Sequence, residues 1–268
     1  MTHASQSAIA IEIGGMAIAL HTQDSAFRQL LENRYAGFIK PSANPQFQFD
    51  IDLCEPSETS NADEDVQVKL QASEWFLQRG DFRARWNAKL GRGHIQQSRN
   101  LYAIDSVLRI VHTLLLARQG GFLVHAASAI RNGGAYLFAG VSGAGKTTIS
   151  RLAPPDATLL SDEISYVRRE GDHYRACGTP FAGELAKVGE NQSAPLSTLF
   201  LLEKGPENRI EEVSTAEAIR LLLRNILFFA DDCELVNLVF RSACEFVEQV
   251  PVRRLVFVPD QRVWEMIG

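Results

Sequence analysis

A glycine-rich segment in the second half of the chain has the residue types and spacing of a phosphate-binding loop. It runs from Gly140 to Thr147, fits the pattern G-x-x-x-x-G-K-S/T, and follows the apolar run Ala135–Ala139. Glycines in such a loop let backbone N–H groups approach phosphate oxygens at the start of the next helix. The pattern predicts that Lys146 contacts the β- and γ-phosphates and that Thr147 ligates Mg²⁺.

The nucleotide expected in this loop is ATP, bound together with Mg²⁺. The predicted nucleotide-binding residues are the glycines, the small residues between them, the lysine and the hydroxyl residues that open the helix: Gly140, Ser142, Gly143, Ala144, Gly145, Lys146, Thr147 and Thr148. The alternative is a glycine-rich turn that arises by chance.

An acidic pair, Asp162 and Glu163, follows the apolar run Ala157–Leu160, sixteen positions after Lys146. That interval has room for one short helix and one strand, so the carboxylates come from the strand next in sequence. Phosphoryl transfer needs one carboxylate to hold the metal and one to orient and deprotonate the attacking hydroxyl. The acidic pair is therefore the candidate source of the carboxylate that a magnesium–nucleotide site needs. The alternative is a solvated turn.

A histidine, His125, ends the apolar run Phe122–Val124, fifteen residues before Gly140. A single histidine beside an apolar run is commonly a structural residue. If this run pairs with Ala135–Ala139 across a short turn, His125 comes near the acidic pair. There it would share a proton with one carboxylate, or contact the γ-phosphate or a second metal. His125 is therefore a candidate catalytic residue with its role left open.

The elements around these residues differ between the two parts of the chain. In the first hundred residues, alternating apolar residues predict a hairpin over Ala8–Leu20 and a strand over Phe47–Leu53, with a helix over Ser25–Tyr35 between them. The segment Glu55–Asp65 has five acidic residues and predicts an exposed loop before strands resume at Val66.

The later part has the alternation of strands and helices that is typical of an α/β fold. Helical spacing from Ile104 to Leu115 predicts a helix that Gly120 and Gly121 end. The capping sequence Ser214–Glu217 predicts another. The predicted strands are Phe122–Val124, Ala135–Ala139, Ala157–Leu160, Ser197–Leu202 and Arg254–Val258. We therefore predict a β-rich N-terminal region at 1–100 and an α/β nucleotide-binding domain at 101–268.

Composition excludes several classes of protein. The 27 basic and 32 acidic residues give a net charge of −5, which argues against a nucleic-acid partner. The start of the chain has no signal-peptide pattern, and Arg109 and Arg118 interrupt the most apolar window, so no membrane span is predicted. The four cysteines lack metal-ligand spacing and predict free, buried thiols. The expected compartment is the cytoplasm.

The stretch from His125 to Thr148, followed by Ser161–Glu163, resembles the nucleotide site shared by HPr kinase/phosphorylases and ATP-dependent phosphoenolpyruvate carboxykinases. Both families have a histidine at this interval, an S-G-x-G-K-S/T sequence and a nearby acidic pair. Gly178–Glu184 and Leu199–Glu203 resemble the HPr-kinase-related proteins of bacteria, so the resemblance covers residues 101 to 260. It implies a P-loop-containing α/β core of the HPr kinase/phosphoenolpyruvate carboxykinase type, preceded by a small β-rich region.

The resemblance implies an ATP- and Mg²⁺-dependent kinase that transfers the γ-phosphate to a hydroxyl on a peptide, protein or small molecule. In it, Thr147 and Asp162 hold magnesium, and His125 and the acidic pair surround the transferred phosphoryl group. The family signature E-I-R-G-x-G is absent, so HPr is not the expected acceptor, and phosphorylase and carboxykinase activities rank lower. The acidic motif can be aligned in two ways, which leaves either carboxylate as the base.

Several alternatives stay open after this comparison. The chain could instead be a nucleotide-gated binding module that controls a partner and performs little chemistry. Family members are often oligomers, which makes a homo-oligomer one expectation. Further candidates for the acceptor pocket or for phosphate stabilisation are Glu184, His173, Arg209, Arg220 and Arg224.

Overall fold

A computed structural model describes residues 8–41, 45–55, 64–183 and 188–268. The chain divides into two compact units, Met1–Val111 with Phe229–Asp232, and His112–Phe228 with Cys233–Gly268. Most of the predicted acidic loop at Glu55–Asp65 lies outside the described residues, and so does Glu184.

The first unit is a seven-stranded sheet in the order β1-β2-β3-β7-β6-β5-β4 with one helix packed against β1 and β2. The β2–β3 and β3–β7 pairs are parallel and the others antiparallel. The predicted hairpin, helix and strand are confirmed. Its elements are β1 (Ile9–Ile13), β2 (Met16–Thr22), α1 (Ser25–Arg34), β3 (Phe47–Leu53), β4 (Gln67–Gln71), β5 (Glu74–Arg79), β6 (Phe82–Asn87) and β7 (Arg92–Gln97), with a 3₁₀ turn at Ala36–Phe38.

One face of this sheet is buried and the other is open. Along β6, Phe82, Ala84 and Trp86 are buried, whereas Arg83 and Arg85 between them are exposed. Because successive side chains of a strand point to opposite faces, the two arginines lie on the open face.

A long helix, α2 (Leu101–Gln119), follows, and the boundary between the two units falls inside it. It ends at Gly120, whose φ of 75° lies in the left-handed region that glycine adopts without strain. The predicted helix and its end are confirmed.

The second unit is a nine-stranded mixed sheet with helices on both faces. Residues of α4 and α5 share one core cluster with the sheet, and Ile149 and Trp264 share the other. The elements are β8 (Phe122–Arg131), β9 (Gly134–Ala139), α3 (Lys146–Arg151), β10 (Thr158–Ser161), β11 (Ile164–Glu170), β12 (His173–Cys177), β13 (Ser193–Lys204), β14 (Arg209–Glu212), α4 (Thr215–Asn225), β15 (Ile226–Leu227), α5 (Cys233–Gln249) and β16 (Val252–Phe257), with a final 3₁₀ segment at Gln261–Met266.

Strand β8 is the junction of this sheet, because it pairs with β9, β10, β11 and β15. It is longer than the predicted Phe122–Val124 and continues through Ala126, Ala127 and Ala129, all almost fully buried. Alanine and serine favour strands weakly, so the sequence of this part did not predict a strand. Pairing and burial on both sides extend it nevertheless.

The other predicted strands of this unit are confirmed with small shifts at their ends, and α4 begins at the predicted cap. Ser214 Oγ accepts the backbone N–H of Glu217 at 3.3 Å. No helix in the described part of the chain has the length and hydropathy needed to cross a membrane. All four cysteines are free, but only Cys177 is buried, while Cys54 and Cys233 are exposed. The expectation of buried thiols was therefore wrong for those two.

A buried histidine on α2, His112, predicts how the stability of the protein depends on pH. Its side chain is fully buried, its ring packs edge-on against Tyr166, and neither ring nitrogen has a hydrogen-bond partner among the described residues. Burial lowers the pKa of His112 from 6.5 to about 3. Below pH 6.5 the unfolded chain therefore takes up a proton that the folded chain does not. We expect His112 to lower the free energy of unfolding by about 2 kcal/mol at pH 5 relative to pH 8.

The His112→Leu variant tests this expectation. Its free energy of unfolding, measured by urea denaturation with circular dichroism, should depend less steeply on pH between 6.5 and 4 than that of the parent. The exposed His173 on β12 gives the matched control, because His173→Leu should keep the parent slope. Equal slopes for all three proteins would contradict the burial of a neutral imidazole at position 112.

Candidate active site

The glycine-rich segment forms a tight loop between β9 and α3. Gly143 and Gly145 have φ values of 78° and 113°, which strain any residue with a Cβ atom. A Cβ at Gly145 would also lie 2.5 Å from the ring of Phe257. Lys146 is largely buried, and its Nζ donates to the backbone carbonyl of Gly140 at 2.9 Å. The ammonium group is thus held against the inner side of the loop.

The pairing of β8 brings the loop, the histidine and the acidic pair together. Ala126 pairs with Ala139, the residue before the loop, so His125 lies next to the point where the loop begins. On the other side His125 pairs with Ile164, the residue after the acidic pair. His125 Nε2 lies 3.8 Å from Glu163 Oε1, and both side chains are partly exposed. The predicted approach of His125 to the acidic pair is confirmed.

The turn that carries the two carboxylates is held by hydroxyl groups. Ser161 Oγ accepts the backbone N–H groups of Glu163 at 3.2 Å and of Ile164 at 2.9 Å. Thr179 Oγ1 donates to the carbonyl of Ile164 at 2.8 Å. These bonds fix the backbone of the acidic pair independently of any ligand.

The two carboxylates have different surroundings. Asp162 is 4% exposed, and its Oδ1 accepts the backbone N–H of Gly183 at 2.8 Å. Glu163 is much more exposed and faces His125. A Cβ at Gly183 would lie 2.6 Å from Glu163 Cβ, so the backbone at Gly183 packs directly over the acidic pair. Asp162 is therefore held by its neighbours, and Glu163 is open to the cleft.

The loop, the histidine and the acidic pair line one polar cleft of about 340 Å³. Among the residues predicted to bind nucleotide or to act in catalysis, the following line it: His125, Ser142, Gly143, Gly145, Lys146, Thr147, Thr148, Asp162 and Glu163. Gly140 and Ala144 belong to the loop but do not line the cleft. The exposed arginines 220 and 224 on α4 and His173 on β12 do not line it either.

Two cations that the sequence did not single out also line the cleft, Arg151 and Lys204. Arg151 ends α3. Lys204 ends β13, which runs parallel to β9 with Leu201 opposite Ala139. Because parallel strands end at the same edge of a sheet, Lys204 lies beside the loop that follows β9. Lys204 could have been identified only from the pairing of β13 with β9, which no local sequence pattern reveals.

The chemistry of the cleft fits a magnesium-bound phosphate better than a metal held by protein alone. No group of three or more histidine, cysteine, aspartate or glutamate residues in the described ranges is arranged around one metal position. Mg²⁺ commonly takes one or two protein oxygens and completes its shell with phosphate oxygens and water. The hydroxyl of Thr147 and the carboxylate of Asp162, which share the cleft, are oxygen donors of that kind.

Comparison with known proteins places the chain in a family. The family model of the SynChlorMet cassette protein ScmC matches residues 93–268, which is more than half of the chain. No curated protein matches the sequence. The Hpr(Ser) kinase/phosphatase from Coxiella burnetii is among the solved structures that match, with 14% identity and a TM-score of 0.25 over 47% of this chain and 92% of that chain. The match to the family model shows that the chain belongs to the SynChlorMet cassette protein ScmC family.

Proposed function

We propose that the protein is an ATP- and Mg²⁺-dependent kinase that transfers the γ-phosphate to a hydroxyl group. The observation that carries the proposal is the cleft, in which a loop with the G-x-x-x-x-G-K-S/T sequence faces two carboxylates and a histidine. A site that only bound nucleotide would need the loop and a metal ligand, but not a second, accessible carboxylate beside a histidine.

The loop supplies the binding part of the reaction. Its backbone N–H groups and the Lys146 ammonium bind the phosphates, and the Thr147 hydroxyl and Asp162 hold Mg²⁺. When bound, the metal ion neutralises charge on the phosphates. The cations of Arg151 and Lys204 line the same cleft and add positive potential for the triphosphate.

Asp162 and Glu163 have different surroundings, and each suits a different role in the reaction. The buried Asp162, already bonded to the Gly183 N–H, suits a fixed metal ligand. The more exposed Glu163 suits the base. Glu163 accepts the proton of the acceptor hydroxyl, the hydroxyl oxygen forms the new P–O bond, and ADP leaves with the electrons of the broken bond. His125, whose Nε2 lies 3.8 Å from Glu163 Oε1, assists that carboxylate in moving the proton.

The direct test is incubation of the purified protein with γ-labelled ATP, Mg²⁺ and an extract of its own cells. A labelled acceptor that is absent without the protein, and absent when Mg²⁺ is chelated, supports the proposal. Tight ATP binding with no phosphorylated product under any of these conditions would instead indicate a nucleotide-gated binding module.

His125 has its own expected result. Changing His125→Ala should lower turnover by about a hundredfold, because assistance to acid–base catalysis is typically worth that much. The melting temperature and the affinity for ATP should change little, since the side chain is partly exposed. Steady-state kinetics, calorimetric binding and thermal denaturation measure the three quantities. His173→Ala, on the exposed part of β12, is the control. Near-normal turnover with a clear loss of stability would make His125 a structural residue.

A further inference from the structure

The open face of the first unit's sheet carries a groove of about 310 Å³ across β5, β6 and β7. Its floor consists of two rows of side chains, each centred on an arginine of β6. In one row Arg85 lies between Phe76 on β5 and His94 on β7, and in the other Arg83 lies between Gln78 and Gln96. None of these residues belongs to the cleft that lies in the second unit.

The groove is electrostatically unbalanced. No carboxylate of the described residues lies within ion-pair distance of Arg83 or Arg85, both of which are exposed. Glu74, two residues before Phe76 on the same face of β5, is the one carboxylate on the three strands, and it forms no ion pair with either arginine. Most arginines of this chain form an ion pair with a carboxylate, as Arg79 does with Asp81 at 2.6 Å. Two like charges side by side on one face do not stabilise a sheet, so the fold itself does not explain the pair.

The remaining residues of the groove suit a peptide chain. Phe76 offers an apolar surface beside Arg85, and the two glutamines offer both donors and acceptors of hydrogen bonds. His94 Nε2 contacts Asp52 Oδ2 at 2.8 Å on the neighbouring strand β3, so this aspartate lies beyond β7. The groove therefore combines two uncompensated cations, one aromatic ring and neutral polar groups.

We infer that this groove binds an acidic peptide in an extended conformation. Alternate residues of a strand repeat about every 6.5 to 7 Å, and alternate side chains of an extended peptide have the same spacing. Acidic side chains at alternate positions of the peptide thus meet Arg83 and Arg85, whose planar guanidinium groups bind carboxylates in a bidentate manner. An apolar side chain of the peptide packs on Phe76. The same peptide also carries the hydroxyl acceptor, and this part of the inference rests on the proposed kinase function. The docking of the peptide does not depend on that function.

A peptide fits this groove better than a nucleic acid does. Nucleic-acid binding uses many phosphate contacts along a basic surface. Here there are two arginines, one flanked by glutamines and the other by Phe76 and His94, and the whole chain has a net charge of −5.

The test measures binding of a fluorescein-labelled peptide, in which glutamates alternate with serine and leucine, to the full chain by fluorescence anisotropy. The double change Arg83→Glu and Arg85→Glu should weaken binding about tenfold or more. Each exposed charge pair contributes modestly to binding, but the double change turns two attractive pairs into repulsive ones. The effect should shrink as salt is raised. Phe76→Ala should weaken binding in a way that salt does not remove.

The matched control is the double change Arg220→Glu and Arg224→Glu, which alters net charge equally on exposed residues of the second unit. It should leave the peptide affinity within about twofold of the parent. Circular dichroism checks the fold of each variant, and Arg83→Gln with Arg85→Gln replaces the charge reversal if the latter does not fold. A glutamine-for-glutamate peptide should not bind.

Three results would overturn the inference: no saturable binding of the acidic peptide by the parent, equal loss in the groove and control variants, or tighter binding of a single-stranded oligonucleotide that displaces the peptide. The outcome is independent of the kinase proposal, because the Lys146→Ala variant should still bind the peptide. Peptide binding without phosphoryl transfer would leave the groove assignment standing and remove only the kinase.

Discussion

A Glu163→Gln variant is expected to lose about a thousandfold in phosphoryl transfer while it keeps its affinity for ATP. Glutamine has nearly the same shape as glutamate, but it cannot accept the proton of an attacking hydroxyl, and loss of a general base typically lowers rates by 10²- to 10⁴-fold. Nucleotide affinity should persist because Glu163 faces the open part of the cleft near His125, whereas the loop binds the phosphates.

Product formation with labelled ATP and isothermal titration with ATP in the presence of Mg²⁺ measure the two effects. Glu170→Gln is a suitable control, because Glu170 is exposed at the far end of β11, the strand that follows Glu163, and forms ion pairs with Arg168 and Arg175. Unchanged product formation in Glu163→Gln would leave Asp162 as the base. Loss of ATP affinity in the same variant would mean that Glu163 holds the metal.

A Lys146→Ala variant is expected to bind ATP at least about a hundredfold more weakly and to form no measurable product. Charge-assisted bonds to phosphate are among the stronger polar interactions in proteins, and a hundredfold change corresponds to about 2.7 kcal/mol. The side chain is almost buried within the loop and bonded to the Gly140 carbonyl, so its loss removes a positive charge that is fixed at the phosphate site.

Titration calorimetry with ATP and Mg²⁺ tests this expectation, with Lys89→Ala as the control because Lys89 is exposed in the turn before β7 of the first unit. Thermal denaturation separates the loss of affinity from a loss of fold, since Lys146→Ala also removes the bond to the Gly140 carbonyl. ATP affinity like that of the parent would refute the nucleotide site.

The sequence predicted the local features of the cleft and the short hairpin that brings His125 near them, and it missed the features that depend on pairing between strands far apart in the sequence. The loop and the acidic pair are short patterns, so their place after an apolar run was visible without the fold. Lys204 joins them only because β13 lies parallel to β9, a contact between residues about sixty positions apart. The extension of β8 through its alanines likewise comes from neighbours on both sides and not from local propensity.

The groove of the first unit also depends on strand pairing that no local sequence pattern reveals. Alternation along β6 predicts that Arg83 and Arg85 share a face, but it does not say which strands flank them. The chain returns after β6 so that β7 inserts between β6 and β3, with Leu53 opposite Gln97. This insertion puts His94 and Gln96 next to the arginines and moves the aspartates of β3 one strand away.

The role of β8 as the junction strand also orders the events of folding. Its pairing with β9 closes only a short hairpin turn, whereas its pairing with β11 must bring His125 and Ile164 together across the whole loop, α3 and β10. Closing a longer loop costs more chain entropy and is slower. The hairpin of β8 and β9 is therefore expected to form first, and it anchors the start of the glycine-rich loop before the carboxylates reach it. The folding chain thus has its phosphate-binding loop in place before it has the carboxylates that the reaction needs.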